Sequence, residues 1–134
     1  MYNKMRYLLL SLLLLLSSCT NKRPAFNYFV GTWESKAGGQ IVLNADSSCI
    51  VQNVNDISGA KKSFQGKWLF RMKDDLDENR CNISIREDDG VEYMLFYISG
   101  KGLFGNQAPW YLFQYIGDPD DFKKYEFNKN VTQY

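Results

Sequence analysis

The chain has 134 residues, nearly balances 16 Lys and Arg against 15 Asp and Glu, and contains no histidine. The absence of histidine excludes Ser-His-Asp and Cys-His catalysis, histidine-ligated zinc and the HExxH metalloprotease motif. The near-neutral charge gives no electrostatic basis for binding nucleic acid. Because 16% of the residues are aromatic, the composition favours β-strands in a single domain.

The N-terminus has the pattern of a secretory signal peptide. Lys4 and Arg6 precede an uncharged, leucine-rich run over residues 7–18. This run is shorter than the roughly 20 apolar residues that a spanning helix needs. A buried core helix is the other interpretation, but such a helix would lack any polar side. The sequence therefore predicts a signal peptide over residues 1–18, and its removal leaves a mature chain that is close to neutral.

Residues 16–19 read Leu-Ser-Ser-Cys and resemble the lipobox of bacterial lipoproteins. The resemblance implies that the Cys19 thiol receives a diacylglyceryl group, that the chain is cleaved before Cys19, and that the new amino group is acylated. Thr20 implies, by resemblance to enterobacterial sorting rules, transfer to an outer membrane. We therefore expect a lipid-anchored protein of the bacterial cell envelope, with residues 19–27 as the lipidated N-terminus and tether and residues 28–134 as the folded domain.

Short β-type runs alternate with turn residues throughout the mature chain, at the spacing expected of an all-β barrel or sandwich. Turn chemistry is clearest at residues 38–39, 45–48 and 88–90. The pattern predicts a single all-β antiparallel meander, most simply an eight-stranded barrel. The predicted strands cover residues 29–35, 40–44, 49–54, 64–71, 81–86, 91–98, 110–116 and 122–128.

Residues 29–33 and 64–68 share the form Phe-x-Gly-x-Trp. Glycine inside a strand permits a sharp bend or a close backbone approach, and the Trp two residues later fills the space beside it. Trp33 and Trp68 therefore serve either as core residues or as surfaces on which a ligand stacks.

Gly31, Thr32 and Trp33 also resemble the opening of the lipocalin-like group of small β-barrels, where Gly-x-Trp begins the first strand after a short helical turn. The resemblance implies a lipocalin-like eight-stranded barrel, and in that family the Trp pairs with an Arg near the last strand. Here only Lys123, Lys124 and Lys129 are available in that region.

Three cysteines are present, and lipidation of Cys19 leaves Cys49 and Cys81. In an exported protein these two could form one disulfide, or they could remain as buried thiols. The spacing alone does not distinguish the two possibilities.

The acidic clusters do not form a recognisable metal or catalytic site. Asp75, Asp77 and Asn79 match the first EF-hand ligand spacings, but Arg80 and Arg86 stand where the loop requires Gly and the bidentate Glu. The sequence contains no GxSxG nucleophile motif. We therefore expect no enzyme activity, no metal and no cofactor.

The glycine-rich segment 98–109 carries Leu103 and Phe104, and unstructured loops of about 12 residues are often functional. These two side chains could cap the barrel mouth, contact the bilayer, meet a partner or tuck under the loop. The later strands 93–97 and 110–113 are apolar on both faces, which indicates burial on both sides or an apolar surface with a role.

The leading functional hypothesis is a non-catalytic envelope module that binds a small apolar or aromatic ligand at the barrel mouth. The candidate ligand residues are Trp33, Trp68, Phe104 and Trp110. The alternative is interaction with an envelope protein, for example as an inhibitor of an envelope-attacking enzyme, because residues 58–61 (Ser-Gly-Ala-Lys) resemble the Ser-Gly loop of periplasmic lysozyme inhibitors. An open apolar interior would favour the first hypothesis, whereas a filled interior with an apolar outer surface would favour the second.

Overall fold

The computed structural model describes residues 2–16, 24–56, 58–72, 81–89, 92–103, 105, 107–121 and 123–131. Two helices precede eight strands, and a 3-10 turn, Pro119–Asp121, lies between the last two strands. The helices are α1 (Tyr2–Leu16) and α2 (Phe26–Phe29). The strands are β1 (Gly31–Ser35), β2 (Gln40–Leu43), β3 (Ser48–Asn55), β4 (Lys61–Met72), β5 (Cys81–Glu87), β6 (Glu92–Lys101), β7 (Gln107–Tyr115) and β8 (Lys124–Lys129).

The eight strands form a closed antiparallel barrel in which each strand pairs with its neighbour in the chain. β1 closes the barrel against β8, with Trp33 opposite Lys129. The predicted all-β meander of eight strands is therefore confirmed. Within the described residues, no helix is both long and apolar enough to cross a membrane.

The second Phe-x-Gly-x-Trp segment lies within strand β4 as the sequence predicts, whereas in the first segment Phe29 is helical and Gly31 begins β1. At Gly66 the backbones of β4 and β5 approach closely, and a Cβ there would lie 2.0 Å from the carbonyl oxygen of Arg86. Gly31 has a φ of +139° at the start of β1. Any side chain at Gly66 would displace the neighbouring strand, so glycine is required for the barrel to close there.

Several predicted boundaries were wrong, and β4 begins at Lys61 and not at residue 64. Phe29 belongs to the short helix α2 and not to the first strand, which begins at Gly31. The predicted loop of residues 98–109 is much shorter, because β6 runs to Lys101 and β7 begins at Gln107. Gly100 accounts for this, since its missing side chain makes room for the Trp110 ring, 2.7 Å from where a Cβ would lie.

The interior is filled by apolar side chains that alternate along the strands. Ile41 and Leu43 on β2, and Ile83 and Ile85 on β5, are almost completely buried. Among the described residues the buried cluster comprises Phe29, Trp33, Ile41, Leu43, Cys49, Val51, Val54, Trp68, Ile83, Ile85, Met94, Phe96, Leu112 and Phe127.

Candidate functional site

The two ends of the barrel differ. The plugged end carries α2, the turn 44–47, the segment 102–106 and residues 130–131, because the strands that lead to them run in that direction. The far end carries the turn at residues 36–39.

Trp33 holds α2 in the plugged end. Its Nε1 donates a hydrogen bond to the Phe29 carbonyl oxygen at 2.8 Å, and its ring stacks on Phe29 at 5.8 Å. Phe29 in turn contacts Phe70 at 5.3 Å between ring centroids. Trp33 is fully buried, so the structure places it in the core.

Trp68 has the same kind of environment. Its Nε1 donates to the Asn44 carbonyl oxygen at 2.8 Å, and Phe26 stacks on its ring at 4.6 Å with an interplanar angle of 5°. Only 2% of Trp68 is exposed. Its N–H group is hydrogen-bonded and its ring is packed within the chain, so neither face of the Trp68 ring is left for a ligand.

Lys129 occupies the region of the last strand where the lipocalin-like resemblance implies an Arg. It lies opposite Trp33 in the β1–β8 pairing. Its Nζ donates to the Tyr28 carbonyl oxygen and lies 4.9 Å from the Tyr28 ring centroid. Burial lowers the pKa of Lys129 below its usual value. A lysine therefore secures α2 to β8.

The other two candidate ligand residues lie at the β6–β7 connection. Trp110 is half-buried against the core, and its backbone N–H donates to the Tyr28 hydroxyl at 3.2 Å. Phe104 lies outside the described residues. The structure thus brings Trp33, Trp68 and Trp110 around α2, where they support the plug.

Cys49 is a free, buried thiol, and burial raises its pKa to about 11. The pairing places Cys49 opposite Gly66 on β4, whereas Cys81 is opposite Met72. Six residues along a strand correspond to roughly 20 Å, far more than a disulfide spans. The disulfide that the sequence left possible is therefore not formed in this structure. Cys19 lies outside the described residues.

A small cavity of about 80 Å³ lies at the far end. It is lined by both polar and apolar groups, and Gln114 crosses it to donate to the Asn55 carbonyl oxygen at 3.0 Å. Pockets for drug-sized ligands are several times larger, at about 300–1,000 Å³. The lining residues are Ser35, Ala37, Gly39, Asn53, Val54, Asn55, Lys61, Gln114, Tyr125 and Phe127.

A second group of aromatic residues lies on the outside of the barrel. Phe113 alternates with the inward-facing Leu112 and lies outside the interior cluster, although only 6% of it is exposed. Its ring contacts Tyr97, Tyr111 and Tyr115 at 5.5, 6.0 and 5.4 Å, and Lys124 Nζ lies 4.2 Å from its centroid. The outer aromatic face is defined here as Leu69, Ser84, Leu95, Tyr97, Tyr111, Phe113 and Tyr115.

The strand pairing makes these residues one continuous surface. Leu69, Ser84 and Leu95 lie side by side across β4, β5 and β6. Tyr97 and Phe113 are direct partners across β6 and β7. Leu69 is 48% exposed, so the surface runs from a half-exposed aliphatic edge to an aromatic cluster.

Two polar atoms of this wall have unmet hydrogen-bonding capacity. Ser84 is fully buried although it alternates with the inward-facing Ile83 and Ile85. In the part of the chain that the structure describes, neither Ser84 Oγ nor Asn82 Oδ1 has a hydrogen-bond partner. Buried polar atoms are seldom left unpaired, because each costs roughly 1–3 kcal/mol.

The border of the outer aromatic face is mainly basic. Lys67, Arg71 and Arg86 alternate with interior residues and are exposed. Glu126 is opposite Phe113 on β8, and Glu92 is opposite Arg86 on β6. The surface therefore combines an apolar centre with a charged rim whose described exposed side chains are mainly basic.

Asp46 and Asp56 stabilise two of the turns by accepting hydrogen bonds. Asp46 Oδ1 accepts from the Ser48 N–H and hydroxyl, and Asp56 Oδ1 accepts from the Ser58 N–H and hydroxyl. These bonds lower the pKa of both aspartates. Among the residues that the structure describes, no group of three or more acids and cysteines could hold a metal ion. The EF-hand-like segment 75–80 lies outside them.

Comparison of the chain with protein-family models, curated proteins and solved structures found no match. The outer aromatic face was not among the residues singled out from the sequence. Its signal was the two-sided apolar character of residues 93–97 and 110–113, which the structure resolves for β7 into the inward Leu112 and the outward Phe113.

Proposed function

We propose that this chain is a non-catalytic, lipid-anchored binding module of the bacterial cell envelope with a lipocalin-like barrel. Residues 1–18 act as a signal peptide, and Cys19 carries the lipid anchor that holds the barrel at the outer membrane. The lipobox-like residues 16–19 and the preceding leucine-rich run support this proposal. Several acyl chains on one cysteine give stable attachment, since each buried methylene contributes about 0.8 kcal/mol.

The recognition surface in this proposal is the outer aromatic face. The observation that carries it is the continuous apolar surface on the described barrel wall, which runs from the half-exposed Leu69 to the tyrosine rings around Phe113. The interior offers no comparable binding surface, because Trp33 and Trp68 are buried and their N–H groups donate to backbone carbonyl oxygens.

The partner that fits this surface is an envelope protein with an apolar patch surrounded by carboxylates. Lys67, Arg71, Arg86 and Lys124 provide the complementary charge. Tyrosines contribute large contact areas at low entropic cost, and a polar rim around an apolar centre is the usual anatomy of a protein interface. An envelope-attacking enzyme that the module inhibits is one partner of this class.

The test is retention of a partner from the organism's own envelope extract by the acylated chain and its variants. We expect wild type to retain a protein that Tyr115→Ser and Lys124→Glu lose. Val42→Ser and Ile50→Ser are matched controls, because both side chains alternate with buried residues on the outside of β2 and β3 and should not affect retention. Raised salt should weaken retention. Equal retention by all variants would contradict the outer aromatic face as the binding surface.

Binding of a small ligand at the far-end cavity is the second candidate. Its size of about 80 Å³ suits only a small group and not a large apolar molecule. Native mass spectrometry of the purified chain tests this candidate. A retained small molecule that is lost in Gln114→Ala would support it, and a clean protein mass would count against it.

A further inference from the structure

The connection between β6 and β7 presents one apolar side chain to the outside. Leu103 is 92% exposed. The segment around it is an ordered turn, because the Gly100 N–H donates to the Gly105 carbonyl oxygen at 2.8 Å and the Gly105 N–H donates to Gly102 at 3.2 Å. The possibility that Leu103 tucks under the loop is therefore wrong.

Leu103 lies at the plugged end, and it is not alone there. Val131 follows the last strand at the same end, where the Asn130 N–H donates to the Thr32 carbonyl oxygen at 2.8 Å. Val131 is 76% exposed, and Lys101 beside the Leu103 turn is also exposed. Two exposed aliphatic side chains and a flanking lysine thus share one end of the barrel.

The chain enters the barrel at this same end. Pro24 is buried and leads directly into α2, whose Phe26 stacks on Trp68. Cys19 precedes Pro24 by five residues, which reach at most about 18 Å when fully extended. An acyl group on Cys19 therefore keeps the plugged end, and not the far end, next to the headgroups.

We propose that the plugged end docks on the bilayer, with Leu103 inserted at the boundary between headgroups and acyl chains and Lys101 near the lipid phosphates. The inference rests on the proposed acylation of Cys19. Apolar side chains with neighbouring lysines are typical of interfacial contacts, which reach about 5–10 Å into the headgroup region. Docking in this way orients the barrel axis away from the membrane plane. The far end then points away from the membrane, and the outer aromatic face remains accessible.

The test uses the full chain purified from membranes and reconstituted in vesicles of phosphatidylethanolamine and phosphatidylglycerol. A nitroxide is attached to Leu103→Cys in a Cys81→Ser background, while Cys49 is protected by its burial. Ala37→Cys on the exposed far-end turn is the matched control. Both sites are exposed, so labelling should leave folding intact, which circular dichroism checks.

We expect the ratio of oxygen to aqueous nickel-complex accessibility to be at least about threefold higher at position 103 than at position 37, because oxygen partitions into the acyl region. Intact mass measured on the same sample reports acylation of Cys19. An acylated chain with equally aqueous labels at both positions would overturn the docking and leave the anchoring intact. A chain without acyl groups would overturn the anchoring and, with it, this inference.

Discussion

The plug and the outer aromatic face are built from the same kinds of side chain but are completed differently. Inside, Trp33 and Trp68 each donate to a backbone carbonyl at 2.8 Å. Outside, Ser84 Oγ and Asn82 Oδ1 have no partner within the described residues. Aromatic content therefore does not distinguish the plug from the outer aromatic face in this molecule, whereas the pairing of polar atoms does.

Disruption of the plug should give the largest effect. Trp33→Ala removes a fully buried ring and leaves the Phe29 carbonyl oxygen without its donor. We expect the free energy of unfolding to fall by about 3–5 kcal/mol, as for other large-to-small core changes. Urea denaturation measures this loss, and Tyr111→Ala on the outer face should cost much less. Equal losses would remove the energetic distinction between the two regions.

The barrel wall itself should be sensitive at Gly66. In Gly66→Ala the new methyl group would meet the Arg86 carbonyl oxygen at 2.0 Å, so β4 and β5 must separate. We expect a loss of about 2–3 kcal/mol, the upper range for overpacking. Gly59→Ala is a control for loss of glycine, because its site has open space, although its φ of +85° adds strain. Thermal denaturation of both variants makes the comparison.

The interior thiol should make stability depend on pH. Burial raises the pKa of Cys49 from an ordinary value of 9.0 to about 11 in the folded chain. The raised folded value means that stability is fully present below the unfolded pKa and is lost as pH rises through the folded one. Two units correspond to a loss of about 2–3 kcal/mol between pH 9 and 11.

Lys129 acts with the opposite sign, because burial lowers its pKa. Its contribution to stability therefore rises with pH, and the Cys49 effect must be isolated by difference. The stability of wild type minus that of Cys49→Ala, measured by urea denaturation at each pH, should decline across this window. A flat difference would mean that the folded thiol titrates normally.

The smallest effect, and one of opposite sign, is expected on the outer face. Ser84→Ala removes a buried hydroxyl that has no partner among the described residues, so the isolated protein should gain about 1 kcal/mol. Differential scanning calorimetry measures this gain. Loss of stability would show that the hydroxyl is already satisfied.

The sequence was sufficient for the fold because its strands alternate and its reversals carry glycine and aspartate, as at Gly38 and Asp46. It misplaced the β6–β7 connection because Gly100 looks like a loop residue, although it lies in a strand beneath Trp110. It singled out Trp33, Trp68 and Trp110, but their role depends on contacts with α2 that only the folded chain creates.

The outer face was harder to locate for a related reason. The apolar run around Tyr97 showed that both sides of β6 were apolar, yet strand register decides that Tyr97 meets Phe113. The register between two strands cannot be read from the alternation within each strand. The unpartnered Ser84 hydroxyl likewise depends on what surrounds it in space.

The β1–β8 seam also has a consequence for the order of folding. It joins Trp33 to Lys129, which lie near opposite ends of the barrel sequence, and the pairing extends along β1 from Trp33 to Ser35. Bringing such distant residues together costs more conformational entropy than closing a single hairpin. We therefore expect this seam to form last. Trp33 lies in this β1–β8 seam. Burial of its indole should therefore report completion of the barrel.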